Sequence, residues 1–533
     1  MAKLIQGIKV EKIWYGGIGL ARMSDGKRIL IKWGALPWAV VDLRVVKQRK
    51  DYIEAHITKI HKYDPTLLDG KIFCPHFFSI IENNSEHWTL HSEFPRKVGC
   101  GWCKWQMLSY ATQLKLKQDI VVDSFKKLKM PELNILPIVG SPLEKWYRNK
   151  IEFSFWKYIT NGDQVKNGEA REKQLNVLSD RSVGFHRQGE FSKIVDISNC
   201  GLISEQANEV FARVKALCLA SGLPVYDQKT HQWFFRHLVI REWFHTGQFL
   251  VNLSVSEENL KTSKNAKWDQ LLNVLKKDEL LKDKVTTFVI TYNNGLADTI
   301  RNDKSETKTF RWDGYMYEKL IFKKEDQNIS QDLPTGQAGS GLTTQDEVSF
   351  RISPFSFFQT NTLGAQQLFS LGMYIAGQVE GNILDLYCWT GSIGLSFLKA
   401  GKWEQLIGIE IVEEAITDAR ENAKINGLEN QVLFVANPAE KALTNNDELR
   451  AKIKNIWLVI VDPPRDGLHK NVITFLADLK KEQNFKLLYI SCNPVTMVRD
   501  IELFSAQGFT IQTVQPVDMF PQTHHIEVIG LLV

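Results

Sequence analysis

The pattern of hydrophobic and polar positions divides the chain into three parts. Residues 1–62 alternate apolar and polar side chains over short stretches, which is typical of strands that bury one face. Turns that contain glycine, such as Gly16-Gly17, separate these stretches. Short strands joined by such turns favour a small OB-like β-barrel. The predicted strands are Ile5–Ile13, Arg28–Trp33, Val40–Lys47 and Ile53–Ile60.

Residues 346–533 have a different pattern, in which continuous apolar runs alternate with amphipathic stretches of helical length. The clearest predicted helix is Glu413–Asn426. Buried strands that alternate with helices predict a parallel sheet, and hence a Rossmann-like domain of the α/β class. The predicted strands are Ile383–Tyr387, Gln405–Glu410, Gln431–Val435, Ile456–Val461, Lys486–Ile490 and Ile526–Leu532.

The middle of the chain mixes both patterns and predicts a central α+β domain. Its clearest helix is Asn208–Ala220, in which we expect Cys218 to be a core residue. Residues 324–346 are polar, with proline and several glycines, which is typical of a loop or linker. The sequence therefore predicts three domains, which comprise residues 1–62, 63–345 and 346–533.

Composition limits the class of protein. Of the 533 residues, 44% are hydrophobic and 24% are charged, as in an ordinary globular protein. The apolar runs, for example Ile456–Val461, are far too short to cross a bilayer. The first residues contain no apolar segment of a signal peptide. We therefore expect a cytoplasmic protein that makes no membrane contact.

Charge is distributed unevenly along the chain. Residues 1–62 contain 13 lysines and arginines but five acidic residues, whereas the formal net charge of the whole chain is only +5. A basic module on a nearly neutral body is typical of proteins that bind a polyanion such as nucleic acid. A basic face that meets only solvent is the alternative.

Four of the seven cysteines are candidate metal ligands. Cys100 and Cys103 form a Cys-x-x-Cys pair, Cys74 lies upstream and Cys200 follows much later. Disulfides are rare in a reducing compartment, so thiolates grouped in this way favour one metal centre. Four thiolates suit tetrahedral zinc or a [4Fe–4S] cluster, and the spacing does not decide between them.

Chemically versatile residues follow the predicted strands of the last domain. Glu410 ends one strand, Asp462 opens an Asp-Pro-Pro-Arg stretch after another, and Cys492 follows a third in Ser-Cys-Asn-Pro. Ligands of open α/β sheets bind at the carboxyl ends of the strands, where a carboxylate such as Glu410 can bind ribose hydroxyls. The glycine turn at 385–394 lacks the dinucleotide pattern, which favours S-adenosylmethionine over NAD.

These motifs resemble those of the RNA uracil-5-methyltransferase family. The resemblance rests on Ser-Cys-Asn-Pro at 491–494, Asp-Pro-Pro-Arg at 462–465 and the pattern D-x-F-P-x-T-x-H-x-E at 518–527. The stretches FFQTN (357–361) and YRNK (147–150) also match.

The other two parts of the chain extend this resemblance. Residues 4–62 resemble a TRAM domain, an RNA-binding barrel found on several RNA-modifying enzymes. Cys-Pro-His at 74–76 and the later cysteines resemble the loop that holds a [4Fe–4S] cluster in this family. The resemblance therefore covers nearly the whole chain.

The resemblance implies a mechanism and a set of site residues. A thiolate that adds to carbon 6 of uracil makes carbon 5 nucleophilic, and a base must later remove the carbon 5 proton. Cys492 would be the nucleophile and Glu527 the base. S-adenosylmethionine would contact Gln359, Tyr387, Ser392, Glu410, Asn437 and Asp462, and the cluster would be held by Cys74, Cys100, Cys103 and Cys200.

Two positions depart from the family pattern. Between Cys74 and Cys100 lie 25 residues, where the family usually has five, so residues 78–98 are predicted to form an inserted hairpin or loop. Trp389 stands where the family has glycine, so either the cofactor turn is reshaped or cofactor binding is weakened.

The expected substrate is structured RNA, specifically 23S ribosomal RNA, methylated by a monomer. The same chemistry on tRNA is the first alternative. An RNA-binding protein with a silent methyltransferase domain is the second, because of Trp389. Cysteine-dependent methylation of cytosine is a third, although no motif here matches its ring-protonating acid.

Overall fold

In a computed structural model of the protein, three large β-sheets follow one another along the chain. Among the described residues, no helix is both long enough and apolar enough to span a membrane. The structure describes residues 3–32, 34–68, 72–77, 81–84, 87–90, 99–157, 181–187, 190–256, 265–302, 304–311, 314–323, 345–377, 380–401 and 403–533.

The N-terminal sheet has six strands in the order β1-β5-β6-β4-β3-β2. The predicted strand Ile5–Ile13 is divided in two, because Val10 donates to Ala39 O and the chain then pairs with a new neighbour, β3. No strand was predicted at β3. The strands are β1 (Leu4–Lys9), β2 (Lys12–Trp14), β3 (Ile18–Arg22), β4 (Arg28–Ile31), β5 (Val40–Gln48) and β6 (Tyr52–Lys62).

Between the first two sheets, the structure forms a two-stranded hairpin from β7 (Ile81–Asn84) and β8 (His87–Leu90), inside the predicted insertion. The helix α1 (Tyr110–Phe125) follows, with the Ser109 side chain accepting from Thr112 N–H at its N-terminus. A short strand, β9 (Asn134–Ile135), comes next.

The central sheet has seven strands in the order β12-β11-β10-β13-β14-β15-β16, all antiparallel to their neighbours except the pair β14 and β15. Three helices cover one of its faces. The elements are β10 (Lys150–Lys157), β11 (Arg181–Arg187), β12 (Glu190–Asp196), α2 (Glu205–Ala220), β13 (Phe235–Glu242), β14 (Phe249–Val255), α3 (Asn265–Lys277), α4 (Glu279–Lys284), β15 (Val285–Tyr292) and β16 (Glu306–Arg311).

An antiparallel pair, β17 (Met316–Lys323) and β18 (Gln345–Ile352), leads into the last part of the chain. Of the predicted linker at 324–346, residues 324–344 lie outside the described residues. Its last two residues, 345 and 346, belong to β18.

The C-terminal sheet has eight strands in the order β21-β20-β19-β22-β23-β25-β24-β9. Helices cover both faces, so the predicted α/β layering is correct. The elements are α5 (Thr362–Ala376), β19 (Gly381–Leu386), α6 (Ser392–Ala400), β20 (Trp403–Glu410), α7 (Glu413–Ile425), β21 (Val432–Ala436), α8 (Ala439–Asn445), α9 (Asp447–Lys452), β22 (Ile456–Val461), α10 (Lys470–Glu482), β23 (Lys486–Ser491), α11 (Pro494–Ser505), β24 (Ile511–Val517) and β25 (Glu527–Leu532).

Three features of this sheet were not predicted. The strand β25 runs antiparallel between β23 and β24, and β24 itself was missed. The sheet is also extended by β9, which comes from the middle of the chain and pairs in parallel with β24. The C-terminal sheet therefore includes two residues from the middle of the chain, Asn134 and Ile135.

Helix α1 fixes the segment 518–527 to the rest of the protein. The fully buried Lys117 Nζ lies 2.6 Å from Asp518 Oδ1 and 3.1 Å from Phe520 O. Gln113 exchanges two hydrogen bonds with Gln522, at 3.0 and 2.8 Å. Breaking a buried ion pair leaves an uncompensated charge, so these contacts hold the segment in one position.

Candidate active site

Cys492 lies at the carboxyl edge of the C-terminal sheet, one residue after β23. The strand ends there because Asn493 caps the next helix, its Oδ1 accepting from Val495 N–H at 3.1 Å, and Pro494 takes the first helical position. Cys492 is partly exposed, whereas the other six cysteines are buried. It is therefore the thiol that a substrate can reach.

Glu527 lies next to Cys492 across the sheet. Strands β23 and β25 are antiparallel with Ser491 opposite Val528, so the first residue of β25 adjoins the residue after β23. Glu527 is buried, and this burial, together with the charge of Asp462, raises the pKa of its carboxyl well above the ordinary value. A carboxyl with a raised pKa is suited to exchange protons.

Arg465 supplies the positive charge of the pocket. Burial raises the pKa of Cys492 to about 12, and the charges of Glu527 and Asp462 add to that effect, while the charge and a hydrogen bond of Arg465 lower it. The turn that carries Arg465 is tied to α11, since Arg465 O accepts from the side chains of Asn493 and Thr496, both at 3.0 Å. Sequence reasoning quoted Arg465 as part of a motif but gave it no role.

Three carboxyl groups meet at the neighbouring strand ends. Asp385 is fully buried, with Oδ2 accepting from Gly394 N–H at 3.1 Å, and Oδ1 has no hydrogen-bond partner among the described residues. Burial raises the pKa of Asp385 well above its ordinary value, and the charges of Asp462 and Glu410 contribute. Burial raises the pKa of Asp462 to about 7. This edge can accept hydrogen bonds from the hydroxyl or amino groups of a ligand.

Glu410 ends β20 and holds the turns around it. Its Oε1 accepts from Val412 N–H at 2.9 Å, and its Oε2 accepts from Trp389 N–H at 3.3 Å. Asn437 follows the neighbouring strand β21, and its N–H donates to Glu410 O at 2.8 Å. Both residues therefore lie at the same edge as Asp385.

The other predicted cofactor residues lie around the turn after β19. Tyr387 and Ser392 flank it, with Gly391 at φ 77° before the first turn of α6. Gln359 is buried just before α5, where its carbonyl accepts from Asn149 Nδ2 at 2.9 Å. The structure thus brings five of the six residues to one edge. The sixth, Gln359, belongs to the segment 357–361, which packs against this edge through Phe357.

Trp389 packs against that segment. Its ring centroid lies 4.5 Å from that of Phe357, with the planes 36° apart, and Thr390 Oγ1 donates to Phe357 O at 3.4 Å. The backbone of Trp389 is left-handed, with φ 51°, which L-residues with large side chains rarely adopt and which favours glycine. The tryptophan therefore occupies a backbone conformation suited to glycine, and its indole packs on Phe357.

The four candidate metal ligands lie near one another although they are far apart in sequence. Burial raises the pKa of Cys100 to about 11 and that of Cys200 to about 12, and in both cases the charge of Cys74 contributes. Burial raises the pKa of Cys103 well above its ordinary value, and Cys200, Cys100 and Cys74 add to it.

Polar groups surround these four cysteines. The buried Gln106 accepts from Cys74 N–H through Oε1 at 3.2 Å, and the positive charge of Arg148 lowers the pKa of Cys200 and so favours its thiolate. Thiols that raise one another's pKa become thiolates only when a cation compensates their charge. Among the described residues, however, no three His, Cys, Asp or Glu side chains already surround a common metal position. The donor chemistry therefore fits a metal or cluster, without a preformed geometry.

Known proteins resemble this chain over its whole length. An RNA methyltransferase of Caldanaerobacter subterraneus subsp. tengcongensis is 32% identical over 526 residues, which cover 98% of either chain. One of Bacteroides thetaiotaomicron is 30% identical over 97% of this chain and 98% of its own. The structure of the Pyrococcus abyssi tRNA (uracil-54, C5)-methyltransferase in complex with S-adenosyl-L-homocysteine matches with a TM-score of 0.64 and 23% identity, covering 99% of this chain and 100% of that one.

The last of these similarities shows a shared fold, and the sequence itself identifies the family. Residues 264–533, which contain Cys492, Arg465 and Glu527, match the tRNA (uracil-5-)-methyltransferase family. Relatives that match over nearly the full length are RNA methyltransferases as well. The chain therefore belongs to the tRNA (uracil-5-)-methyltransferase family.

Proposed function

We propose that this protein methylates carbon 5 of a uridine in 23S ribosomal RNA, with S-adenosylmethionine as the methyl donor. The observation that carries this proposal is the pairing of Cys492 and Glu527 across β23 and β25, with Arg465 in the same pocket. A nucleophilic thiol beside a buried carboxyl is the pair of groups that methylation at carbon 5 of uracil requires.

The chemistry starts at the thiol. The Cys492 thiol, which is partly exposed, gives its proton to water, its sulfur adds to carbon 6, and the electrons of the carbon 5–carbon 6 double bond shift to form an enolate, which makes carbon 5 nucleophilic. Arg465 lowers the pKa of Cys492 and so favours the thiolate as the base arrives. Arg465 is exposed, so its guanidinium can also contact the RNA.

Glu527 completes the reaction. After carbon 5 has gained the methyl group, the Glu527 carboxylate accepts the carbon 5 proton, the double bond re-forms and the carbon 6–sulfur bond breaks. Because burial raises the pKa of Glu527, the carboxyl must first give its proton to water, and the proton that it then takes from carbon 5 leaves by the same route before the next turnover. The target base must leave its stack to reach Cys492, so base flipping is expected.

S-adenosylmethionine would supply an electrophilic methyl group at the edge formed by β19, β20 and β22. The unpaired Asp385 Oδ1, Glu410 and Asp462 offer acceptors for its hydroxyl and amino groups. Gln359, Tyr387, Ser392 and Asn437 complete the proposed set of contacts. Trp389 packs on Phe357, two residues before Gln359, so the indole borders the proposed cofactor site.

Cys74, Cys100, Cys103 and Cys200 would hold a [4Fe–4S] cluster with a structural or RNA-positioning role. The N-terminal sheet would act as a TRAM domain that binds phosphates, with an affinity that falls as salt rises. Its excess of lysine and arginine supports this assignment. The protein would act as a monomer.

The test uses RNA in which the target uridine is 5-fluorouridine, with S-adenosylmethionine present. Fluorine cannot be removed as a proton, so the bond between Cys492 and carbon 6 persists as a protein–RNA adduct that survives denaturant. The adduct should form on 23S ribosomal RNA fragments and disappear in Cys492→Ala. RNA that binds the wild-type protein without forming an adduct would refute the proposal.

The same reaction on tRNA is the second candidate. The name of the matching family and that of the Pyrococcus abyssi enzyme both refer to tRNA. Offering 5-fluorouridine in tRNA and in 23S ribosomal RNA fragments, at equal concentration, separates the two substrates by the rate of adduct formation.

A further inference from the structure

A turn of the N-terminal sheet reaches the candidate active site. Tyr15 follows β2, and its hydroxyl donates to the main-chain carbonyl of Cys492 at 3.3 Å. These two residues are separated by 477 positions in sequence. The predicted RNA-binding sheet therefore touches the backbone of the predicted nucleophile.

The hydroxyl of Tyr15 belongs to the same electrostatic environment as the catalytic pair. Burial raises the pKa of Tyr15 to about 12, the charges of Cys492 and Glu527 add to this, and Arg465 lowers it. A phenol with this pKa keeps its proton at neutral pH. Tyr15 therefore remains a hydrogen-bond donor to the Cys492 carbonyl while the neighbouring groups exchange protons.

The turn itself is fixed from two sides. Lys104 Nζ donates to Gly16 O at 3.2 Å, and the N–H groups of Lys104 and Trp105 both donate to Gln522 O at 3.1 Å. Segment 104–105 thus joins the turn to the motif that contains Glu527.

Gly17 packs directly against the same motif. It has φ +70°, and a Cβ added there would lie 3.2 Å from His524 Cβ and 3.5 Å from Trp105 Nε1. This separation is tighter than an ordinary side-chain contact and the φ is left-handed, so a side chain at this position would strain the turn and push on His524. Tyr15 is consequently held over Cys492 by packing as well as by its own hydrogen bond.

We propose that Tyr15 is a positioning residue for methyl transfer, which holds the end of β23 in the orientation from which the Cys492 sulfur attacks the base. The inference rests on the proposed function. It makes the N-terminal sheet a part of the active site, in addition to any role in gripping RNA. Small displacements of a reacting group slow an enzyme strongly, which is why a main-chain contact at the nucleophile affects rate.

The experiment compares single-turnover formation of the 5-fluorouridine adduct at saturating RNA with the dissociation constant for the same RNA. Tyr15→Phe keeps the ring and removes the donor, so we expect the adduct to form about tenfold more slowly, with RNA affinity unchanged. Tyr15→Ala should slow the adduct further, because the packing of the partly buried ring is lost as well as the donor. Gly17→Ala keeps the phenol but displaces the turn, and should resemble Tyr15→Phe.

Tyr374→Phe is the matched control. Tyr374 is 72% exposed near the end of α5, where Ala376 O accepts from Lys486 Nζ, at the opposite end of β23 from Cys492. This variant should form the adduct at the wild-type rate. Thermal melts of all four variants identify any that fail to fold.

Each outcome decides the inference. Adduct formation by Tyr15→Phe at the wild-type rate overturns it, and so does a loss of RNA affinity with an unchanged rate at saturation, since Tyr15 would then be an RNA contact. If the wild-type protein itself forms no adduct, the proposed function fails and the inference fails with it. A slower Tyr15→Phe with normal RNA affinity supports the inference.

Discussion

The protein places the same functional group, a thiol, in two contrasting surroundings. Cys100, Cys103 and Cys200 are buried in the central part of the chain, and each has other cysteines among the groups that raise its pKa. Cys492 also has a raised pKa, but it is partly exposed at a strand end and faces the guanidinium of Arg465.

The difference shows how surroundings decide what a cysteine can do. Grouped thiols oppose one another's ionisation, so they become thiolates together only when a multiply charged cation joins them. A single thiol beside an arginine needs only to lose one proton when its substrate arrives. The first arrangement favours a stable metal centre, and the second favours a nucleophile that is used and released.

The largest effect should come from removing the proposed nucleophile. Cys492→Ser should reduce methyl transfer by about four orders of magnitude, because the hydroxyl is a far weaker nucleophile than the thiol. Incorporation of labelled methyl groups into RNA measures the loss. Iron content should stay at the wild-type level, and a fall in iron would mean that the two groups of thiols are not independent.

Removing one of the proposed cluster ligands should affect iron content and stability. Cys103→Ser should abolish iron binding and lower the free energy of unfolding by about 3–5 kcal/mol, because the remaining thiols lose the cation that compensates them. Iron analysis and chemical denaturation measure both quantities. Normal iron content in Cys103→Ser would show that Cys103 is not a ligand.

The effect of Arg465 on the Cys492 thiol can be measured through the pH dependence of its alkylation. Since the pKa of Cys492 is raised to about 12, the thiolate fraction should increase about tenfold for each pH unit between 7 and 9. Arg465→Gln removes a group that lowers this pKa, so alkylation of Cys492 by iodoacetamide should be about tenfold slower at each pH, with the same slope. Mass spectrometry of the labelled peptide gives the rates. Faster alkylation in Arg465→Gln would contradict the conclusion that Arg465 lowers the pKa of Cys492.

The smallest effect is expected at a cysteine that belongs to neither group. Cys218 on α2 is fully buried in the core of the central sheet, and burial alone raises its pKa. Cys218→Ala should cost about 1 kcal/mol of unfolding free energy, the loss of one packed sulfur. Iron content and adduct formation should not change. A loss of iron would make Cys218 a part of the metal site, and a loss of adduct would make it a part of the active site.

The sequence predicts the C-terminal sheet well, for a physical reason. The strand β22 matches its prediction at both ends, and β23 differs by one residue, because each is a continuous apolar run bounded by turn-forming residues. The positions of Glu410, Asp462 and Cys492 at one edge follow from parallel strands alone. The roles of these residues stay predictions until they are tested.

Other features depend on which segments meet, and periodicity carries no such information. The segment Ile5–Ile13 has one pattern of side chains but changes its hydrogen-bonding partner at Val10, so it forms two strands. The contribution of β9 to the C-terminal sheet depends on a partner far away in sequence. Tyr15 was missed for the same reason, since nothing near it indicates a contact with Cys492.

The contact between Tyr15 and Cys492 has a consequence for folding. Contacts between residues far apart in sequence form late, because the intervening chain must first be ordered. The site also depends on Gln113 with Gln522 and on Tyr147 with Pro521, which are 409 and 374 positions apart. Each sheet can acquire its own hydrogen bonds before these contacts exist. On refolding, we expect secondary structure to return first and methyl transfer last.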